Sequence, residues 1–550
     1  MPTPKHDVVV GVDFGTTASA IGYSSILLDY PYDRPTLIKQ PWRGTFYKKI
    51  PSVLAYIQDN PNLLENQWGF PAQKERNVVS WFKLFLDDDL KIETESWKAD
   101  AMGLASPRGI MSLPIGISSI DTISDYLGAL QARIWDHLKG EFTNAKKSLE
   151  TSTIKFCFTI PGHWSTEARR NMLIAIETAG FRSRKCDDVC LLTEADAAIV
   201  FALSSSRDST GSLPLKDIAS FIISKHNPLV YDKLGPGSGK LCGSTSVDRE
   251  LYKLMQERFG AVFSSLPWYM IGLTSKFMQH FMEVKCAFTG RGNAIFQLPL
   301  DMNVSQPLSS EWYNQSTGHV LLSSADLLKL FQPSVSTIVN CLNSHMSGAN
   351  GIGRDAPAIK KILLVGGFSL SCFLESEITR AFPDMTIVVD RQNALTAVVQ
   401  GAIAWGSGKV ELRSMRSPCH FGLLAVNLVD FPLPGDRLRT DVMIQGVGTL
   451  IHREGESYMK VINIFISGSK DPPTRVSERG PSKISTLAID ISSINLSDCE
   501  RVEGGGPCAW KVKYMITARL GDTDGTIHFD IYWEKAHLVN WKFKPGFIRY

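Results

Sequence analysis

The chain lacks any real excess of charge. It has 58 Lys and Arg against 55 Asp and Glu, a net of +3. So even a balance gives no electrostatic ground for nucleic-acid binding. There is no run of eighteen or more apolar residues, so no transmembrane helix is expected. The opening MPTPKHD has no apolar core of the secretory-signal kind and leads straight into a strand. The expectation is a cytoplasmic location, with the nucleus as the alternative. The ten cysteines form no framework. Cys186 and Cys190 lie four apart without a second Cys or His pair at zinc spacing. Cys157, Cys286 and Cys372 fall in apolar or helical contexts that suit buried free thiols. Asn303, Asn314 and Asn495 begin sequons that mean little without secretion. What is left, 44% apolar and 21% charged residues, is a globular composition, and 550 residues are too many for one core.

The most informative stretch is VVVGVDFGTTASAIGYSS, from Val8 to Ser25. Val8, Val9 and Val10 read as a buried strand, Asp13 to Thr17 as a tight polar turn, and Ala18 to Ser25 as a returning strand. The tip of such a hairpin can hold a phosphate. Gly15 lets the backbone approach closely and turn at positive φ. Backbone N–H groups and the Thr16 and Thr17 hydroxyls can donate to phosphate oxygens. Asp13 can hold waters on Mg²⁺, which keeps most of its own water shell. Taken alone, the same residues also suit an ordinary hairpin with a glycine turn.

A second segment, KILLVGGFSLSCFLESEITRAF, begins at Lys361. Ile362 to Val365 reads as a central strand, and Gly366-Gly367 follows at once. Ser369 and Ser371 can cap the next helix, with Glu375 and Glu377 in its early turns. Strand, double glycine and capped helix let a flat ligand lie on bare backbone at a helix N-terminus. The plain alternative is a strand–turn–helix connection.

Together, and in this order, the two segments resemble the actin-like ATPase fold, the superfamily of actin, sugar kinases and the 70-kDa heat-shock chaperones. The connecting pieces resemble the chaperones. FCFTIPGHWSTEARRNMLIAIETAGF, Phe156 to Phe181, is similar to their strand–Pro–helix connector. LLTEADAAIVFAL, Leu191 to Leu203, is similar to their Glu-Pro-x-Ala-Ala segment, with Ala195 in place of proline. WFKLFLD around Lys83, LCGS around Cys242 and the C-terminal tail are most similar to the divergent heat-shock-protein-70-like ATPases of fungi and animals. The resemblance covers roughly residues 7–410 and is specific as a set. It implies an α/β, two-lobed actin-like ATPase (ribonuclease-H-like) fold with a small β-rich C-terminal module. The implied divisions are lobe I at 1–190, lobe II at 191–410 and the β-rich domain at 411–550.

The periodicities fill in the elements. Residues 31–110 read as a looser insertion around a helix holding Trp81 to Leu86. Ile120 to Leu138 reads as an amphipathic helix with Ile120, Ile123, Leu127, Leu130 and Ile134 on one face. Ile154 to Ile160 is a strand ending at Pro161. The helix after it carries Met172, Ile176 and Ala179 on one face and stops at Gly180. Ser246 to Gly260 and Leu273 to Phe288 read as helices. Beyond about residue 411 the pattern turns to strands: WKVKYMITARL and IHFDIYW alternate around GDTDGT and make a hairpin. In the family such a module holds extended peptides. Here no long helical lid follows and the chain ends FIRY, so a structural role is equally open.

By the resemblance, Asp13, Gly15, Thr16 and Thr17 take the β- and γ-phosphates of ATP and, through water, Mg²⁺. Lys83 corresponds to a mobile lysine reaching the γ-phosphate or the attacking water. Glu194 corresponds to a glutamate near the magnesium. Asp13, Lys83 and Glu194 are the implied catalytic residues, and an ordinary helix-surface lysine and a helix-entry carboxylate are the plain alternatives for the last two. Pro161 and Arg169 correspond to a relay between nucleotide and peptide domains. Lys285 and Thr289 correspond to ribose and adenine contacts, and Gly366, Gly367 and Ser369 to the adenosine motif. Implied partners are ATP or ADP, and unfolded peptide or a co-chaperone, with no nucleic acid and no membrane.

The departures matter more. The family's second phosphate hairpin, Asp-x-Gly-Gly-Gly-Thr-x-Asp, is missing between the Glu-Ala-Asp-Ala-Ala segment and Gly366. After Leu203 the chain runs through SSSRDSTGSLPLK to Asp217, which corresponds to that hairpin's last aspartate. Cys286 stands where the family often stacks an arginine on adenine. Charge-assisted hydrogen bonds contribute roughly 1.5–3 kcal/mol each. Losing two or three of them weakens ATP binding by several powers of ten, at about 1.4 kcal/mol per factor of ten. The expectation is a heat-shock-protein-70-like nucleotide-binding protein, ancestrally an ATP-hydrolysing chaperone, with weakened ATPase activity. The competing reading is a non-catalytic interaction scaffold. A small-molecule kinase is a weaker third, because no carboxylate is placed as a base for a sugar hydroxyl.

Overall fold

The computed structural model describes residues 6–28, 35–42, 44–87, 113–114, 116–162, 164, 166–205, 217–218, 221–226, 229–233, 238–239, 243–302, 309–351, 359–408, 410–416, 420–424, 428–430, 437–439, 444–467, 482–502, 508–520, 527–533 and 536–543. It falls into two compact units. One comprises Met1–Ile218, Gly237–Asn350 and Pro357–Lys409; the other comprises Ala219–Pro236, Gly351–Ala356 and Val410–Tyr550.

The first unit is built on a mixed sheet. Strand Val8–Asp13 pairs antiparallel with Ala18–Ser25 and parallel with Ile154–Ile160. Ile154–Ile160 pairs parallel with Asp188–Thr193, and Thr36–Leu37 and Ile50–Pro51 each pair antiparallel with Ala18–Ser25. The period-2 rule explains the valine run, since successive residues leave opposite faces of the sheet. Val8, Val10 and Val12 join the core that contains the helix Ser119–Asn144. Val9 lies under the helix Ala397–Gly406, where a Cβ added at Gly406 would meet its Cγ1 at 2.6 Å.

Ser119–Asn144 is the helix expected over Ile120 to Leu138, longer at both ends. Its Ser118 cap accepts the Asp121 amide at 3.1 Å. Ile123, Leu127, Leu130 and Ile134 are fully buried along one face, joined by Tyr126, Leu138 and Phe142. Each such side chain contributes about 1.5–3 kcal/mol on burial, which is what holds the helix to the sheet. It packs against Thr166–Thr178 and against the 3-10 turn Phe82–Leu86. That short turn stands where a helix around Trp81 to Leu86 is expected, and Trp81 enters it at φ 59°.

The rest of this unit carries the helices Ser244–Ser264, Lys276–Ala287, Ser324–Gly351 and Cys372–Ala381. Lys361–Leu364 pairs in parallel with Thr386–Val389, and these two form a sheet of their own among the described residues. No helix among them is long and apolar enough to cross a membrane.

The second unit is built of strands. Phe221–His226 and Leu229–Lys233 form a hairpin, and Leu229–Lys233 runs parallel to Val410–Arg416. The alternating runs form the expected antiparallel pair, Ala509–Leu520 with Ile527–Trp533, flanked by Ile444–Arg453 and Ala536–Phe543. Val512, Tyr514, Ile516 and Ile531 are buried on them. The segment GDTDGT between them lies outside the described residues, as does SRDSTGSLPLK.

Candidate functional site

The first hairpin closes at the register Asp13↔Ala20, leaving Phe14 to Thr17 as its tip. Gly15 does not take the expected positive φ. Glycine is required for a different reason: a Cβ there would lie 2.2 Å from the Ala18 carbonyl oxygen. Ser52 fixes the loop from below. Its hydroxyl donates to the Gly15 carbonyl at 2.7 Å and its amide to the Thr17 carbonyl at 2.9 Å. Thr16 is buried, and its Oγ1 has no hydrogen-bond partner among the described residues. Leaving a buried hydroxyl unpaired costs about 1–3 kcal/mol, so this atom suits a partner from outside the described residues.

Asp13 is buried beside the tip. Thr159 Oγ1 donates to its Oδ1 at 3.1 Å, and Lys49 Nζ donates to its Oδ2 at 3.2 Å. Lys83 is only 2% exposed. Its Nζ donates to the Phe14 carbonyl at 2.6 Å and to Glu194 Oε1 at 3.0 Å, with the Trp164 ring 5.3 Å away. The lysine expected to be mobile is held by two acceptors in this structure. Burial under Phe14 and Trp164, with two acceptors in reach, gives it no reason to leave. Glu194 is the first residue of the helix Glu194–Ser205, entered through Thr193, whose Oγ1 accepts the Asp196 amide at 3.0 Å. A carboxylate there faces the positive end of the helix dipole.

Arg169 ties the connector after Pro161 to its helix. It donates from Nε to the Trp164 carbonyl at 3.2 Å and from Nη2 to the Gly162 carbonyl at 3.0 Å. Arg169 thus holds the loop that places Trp164 over Lys83.

The residues implied for the adenosine side belong to the same unit. Gly366 takes φ 91° and opens the 3-10 turn Gly367–Leu370. Ser369 is fully buried and donates to the Gly366 carbonyl at 2.7 Å, so it locks the turn, and Ser371 alone caps Cys372–Ala381. Lys285 is buried in an ion pair with Asp248 at 2.6 Å and donates to Ser244 Oγ at 2.8 Å. Burial raises the Asp248 carboxyl above its ordinary value, against the pull of Lys285. Thr289 is exposed. Burial pushes the Cys286 thiol up. Among the described residues no cluster of three or more His, Cys, Asp or Glu is arranged to hold a metal.

Lys49, Ser52, Thr159 and Trp164 complete the hairpin group and carried no signal in the sequence reading. Lys49 and Ser52 lie 36 and 37 residues beyond the Asp13 and Gly15 atoms they bind. Both fall in residues 31–110, which read from the sequence as a looser insertion.

No family model matches the chain. Among curated proteins it is similar to human heat shock 70 kDa protein 12A, 21% identical over 88% of this chain and 85% of the relative. It is also similar to human heat shock 70 kDa protein 12B, 22% identical over 94% of this chain and 88% of the relative. A chaperone protein HscA homolog from Shewanella piezotolerans is 24% identical over 73% of this chain and 59% of its own length. Over most of its length the chain is thus similar to 70-kDa heat-shock proteins, at 21–24% identity. The match to the two human proteins extends well past residue 410, so the likeness covers more than the segment that carries the motifs.

Proposed function

We propose that this chain binds ATP or ADP through its first hairpin and hydrolyses ATP weakly. The observation that carries the reading is the buried Thr16 hydroxyl without a partner at the tip of a hairpin flanked by Lys49 and Lys83. Such an atom suits an acceptor oxygen delivered by a ligand, and a phosphate supplies several. The sheet order Asp188–Thr193, Ile154–Ile160, Val8–Asp13, Ala18–Ser25, Thr36–Leu37 also supports it, because it suits one ribonuclease-H-like half of a two-lobed actin-like fold.

The residues present fit the phosphates of a nucleotide better than they fit catalysis. Thr16 and Thr17 hydroxyls would donate to phosphate oxygens, with Asp13 turned toward the waters of a bound Mg²⁺. Mg²⁺ when bound would neutralise phosphate charge. Lys83 is already paired with Glu194, and Asp13 with Lys49. The hairpin group is thus two cations against two carboxylates, near neutral, and it lacks the partner loop. That arrangement holds phosphate while stabilising little of the charge that develops as a phosphoryl group transfers. The same neutrality favours the second reading, a scaffold that binds nucleotide without turning it over. Peptide or co-chaperone binding by the second unit belongs to this proposal through its relatives alone.

Isothermal titration of ATP–Mg²⁺ into the pure chain tests the reading. A saturable heat is expected, together with a rise in melting temperature, because a ligand that binds only the native state stabilises it. Gly15→Ala is expected to abolish both, since its methyl would strike the Ala18 carbonyl at 2.2 Å and displace the tip. A wild-type chain that gives neither heat nor shift at millimolar nucleotide would overturn it.

A further inference from the structure

Two thiols away from the hairpin tip face each other across neighbouring strands. Cys157 and Cys190 are register partners on the parallel strands Ile154–Ile160 and Asp188–Thr193. Their sulfurs are 3.3 Å apart and unbridged. Both leave the sheet on the face covered by Ala397–Gly406, where a Cβ at Gly406 would come within 2.5 Å of Cys157 Sγ. Cys157 is buried and Cys190 half-buried. Neighbouring strands run about 4.8 Å apart, inside the usual 4.4–6.8 Å between the Cα atoms of a disulfide. The sulfurs need to close by only about 1.3 Å to reach bonding distance.

We propose that Cys157 and Cys190 are an oxidation site, which a hydroperoxide converts to a cross-strand disulfide. Cys190, the half-exposed thiol, is the entry point. Its sulfur, as thiolate, attacks the terminal peroxide oxygen. The O–O bond breaks, and the leaving oxygen takes up the released proton as water or alcohol. The Cys190 sulfur is thereby oxidised to a sulfenic acid. The Cys157 sulfur then attacks that sulfur. The S–O bond breaks, and hydroxide leaves with the Cys157 proton as a second water. Two thiols and one hydroperoxide give one disulfide and two molecules of water, or one water and one alcohol. Burial pushes the Cys157 thiol well up, with Cys190 adding to the effect. The more exposed Cys190 is therefore the first of the two to react.

The placement gives the bond a consequence. Cys157 lies four residues before Pro161 and Cys190 four before Glu194. The bond would pin together the two strands whose ends carry the connector and the Lys83 partner. The thiol chemistry itself is independent of any phosphate at the hairpin.

The test treats the reduced full chain with hydrogen peroxide, blocks remaining thiols by alkylation, digests without reductant and maps cysteine peptides by mass spectrometry. A Cys157–Cys190 linked pair is expected, about tenfold more abundant than any other pair and removed by dithiothreitol. In Cys157→Ser, dimedone is expected to trap Cys190 as a sulfenic acid that wild type does not accumulate. Recovery of both cysteines as alkylated thiols while other cysteines oxidise would overturn the proposal. So would equal trapping of Cys190 in wild type and variant. The wild-type map stands on its own where Cys157→Ser does not fold.

Discussion

Gly401→Ala is expected to destabilise the first unit by about 3 kcal/mol or more, although it adds one methyl group to a helix. At Gly401 a Cβ would lie 1.8 Å from the Ala197 carbonyl oxygen, 2.6 Å from its carbon and 3.1 Å from the Phe201 amide nitrogen. These are backbone atoms of the Glu194–Ser205 helix, so no rotamer change relieves the contact. The helices must separate, and Ala197 is one turn from Glu194, so the pairing with Lys83 moves too. Gly128 is the matched control. It sits inside Ser119–Asn144 with nothing within 4 Å of its would-be Cβ. Gly128→Ala is expected to stabilise by about 0.5–1 kcal/mol, because alanine loses less backbone entropy than glycine in a helix. Thermal melts of the two variants should shift in opposite directions. A Gly401→Ala chain that melts with wild type would show that the helices do not meet there.

This contrast marks how far the sequence could be read. Val8 to Ser25 reads as a hairpin, because period and turn chemistry are local. Nothing local distinguishes Gly401 from Gly128, since the difference is a crossing with a helix two hundred residues earlier. The same limit applies at the candidate site. Asp13, Thr16 and Thr17 were legible as a polar tip. Lys83 and Glu194 came from resemblance alone, for their contact spans 111 residues, and Lys49, Ser52 and Thr159 were not legible at all. Gly15 was picked out for a dihedral it does not adopt, whereas the close Ala18 carbonyl is what excludes a Cβ there. The strands Phe221–His226 and Leu229–Lys233 group with the C-terminal unit because Leu229–Lys233 pairs with Val410–Arg416, a partner no window of adjacent residues contains. The thiol pair shows the same thing. Cys190 was weighed against Cys186 four residues away, while its real neighbour lies on the next strand.

The largest functional effect is expected at Lys83. Lys83→Met keeps the length of the stem and removes the cation from between the Phe14 carbonyl and Glu194. Breaking a buried pair by deleting one partner costs about 3–5 kcal/mol. Glu194 keeps 18% of its side chain exposed, so water relieves part of that penalty and about 2–3 kcal/mol is expected. The double variant Lys83→Met/Glu194→Gln is expected to be less destabilised than the sum of the singles, with a coupling of about 1–3 kcal/mol in a urea double-mutant cycle. A coupling near zero would mean that the two side chains do not share a bond in solution. Nucleotide separates the structural role from the chemical one. If Lys83 only braces the hairpin, Lys83→Met weakens ATP–Mg²⁺ binding in step with its loss of stability. If Lys83 also stabilises charge on the phosphoryl group, turnover falls further than binding, and Lys83→Arg does not restore it, because a planar fork cannot sit where a compact ammonium reaches both acceptors. The buried position, with acceptors at 2.6 and 3.0 Å, favours the brace. The expected result is a variant whose nucleotide affinity and melting temperature fall together.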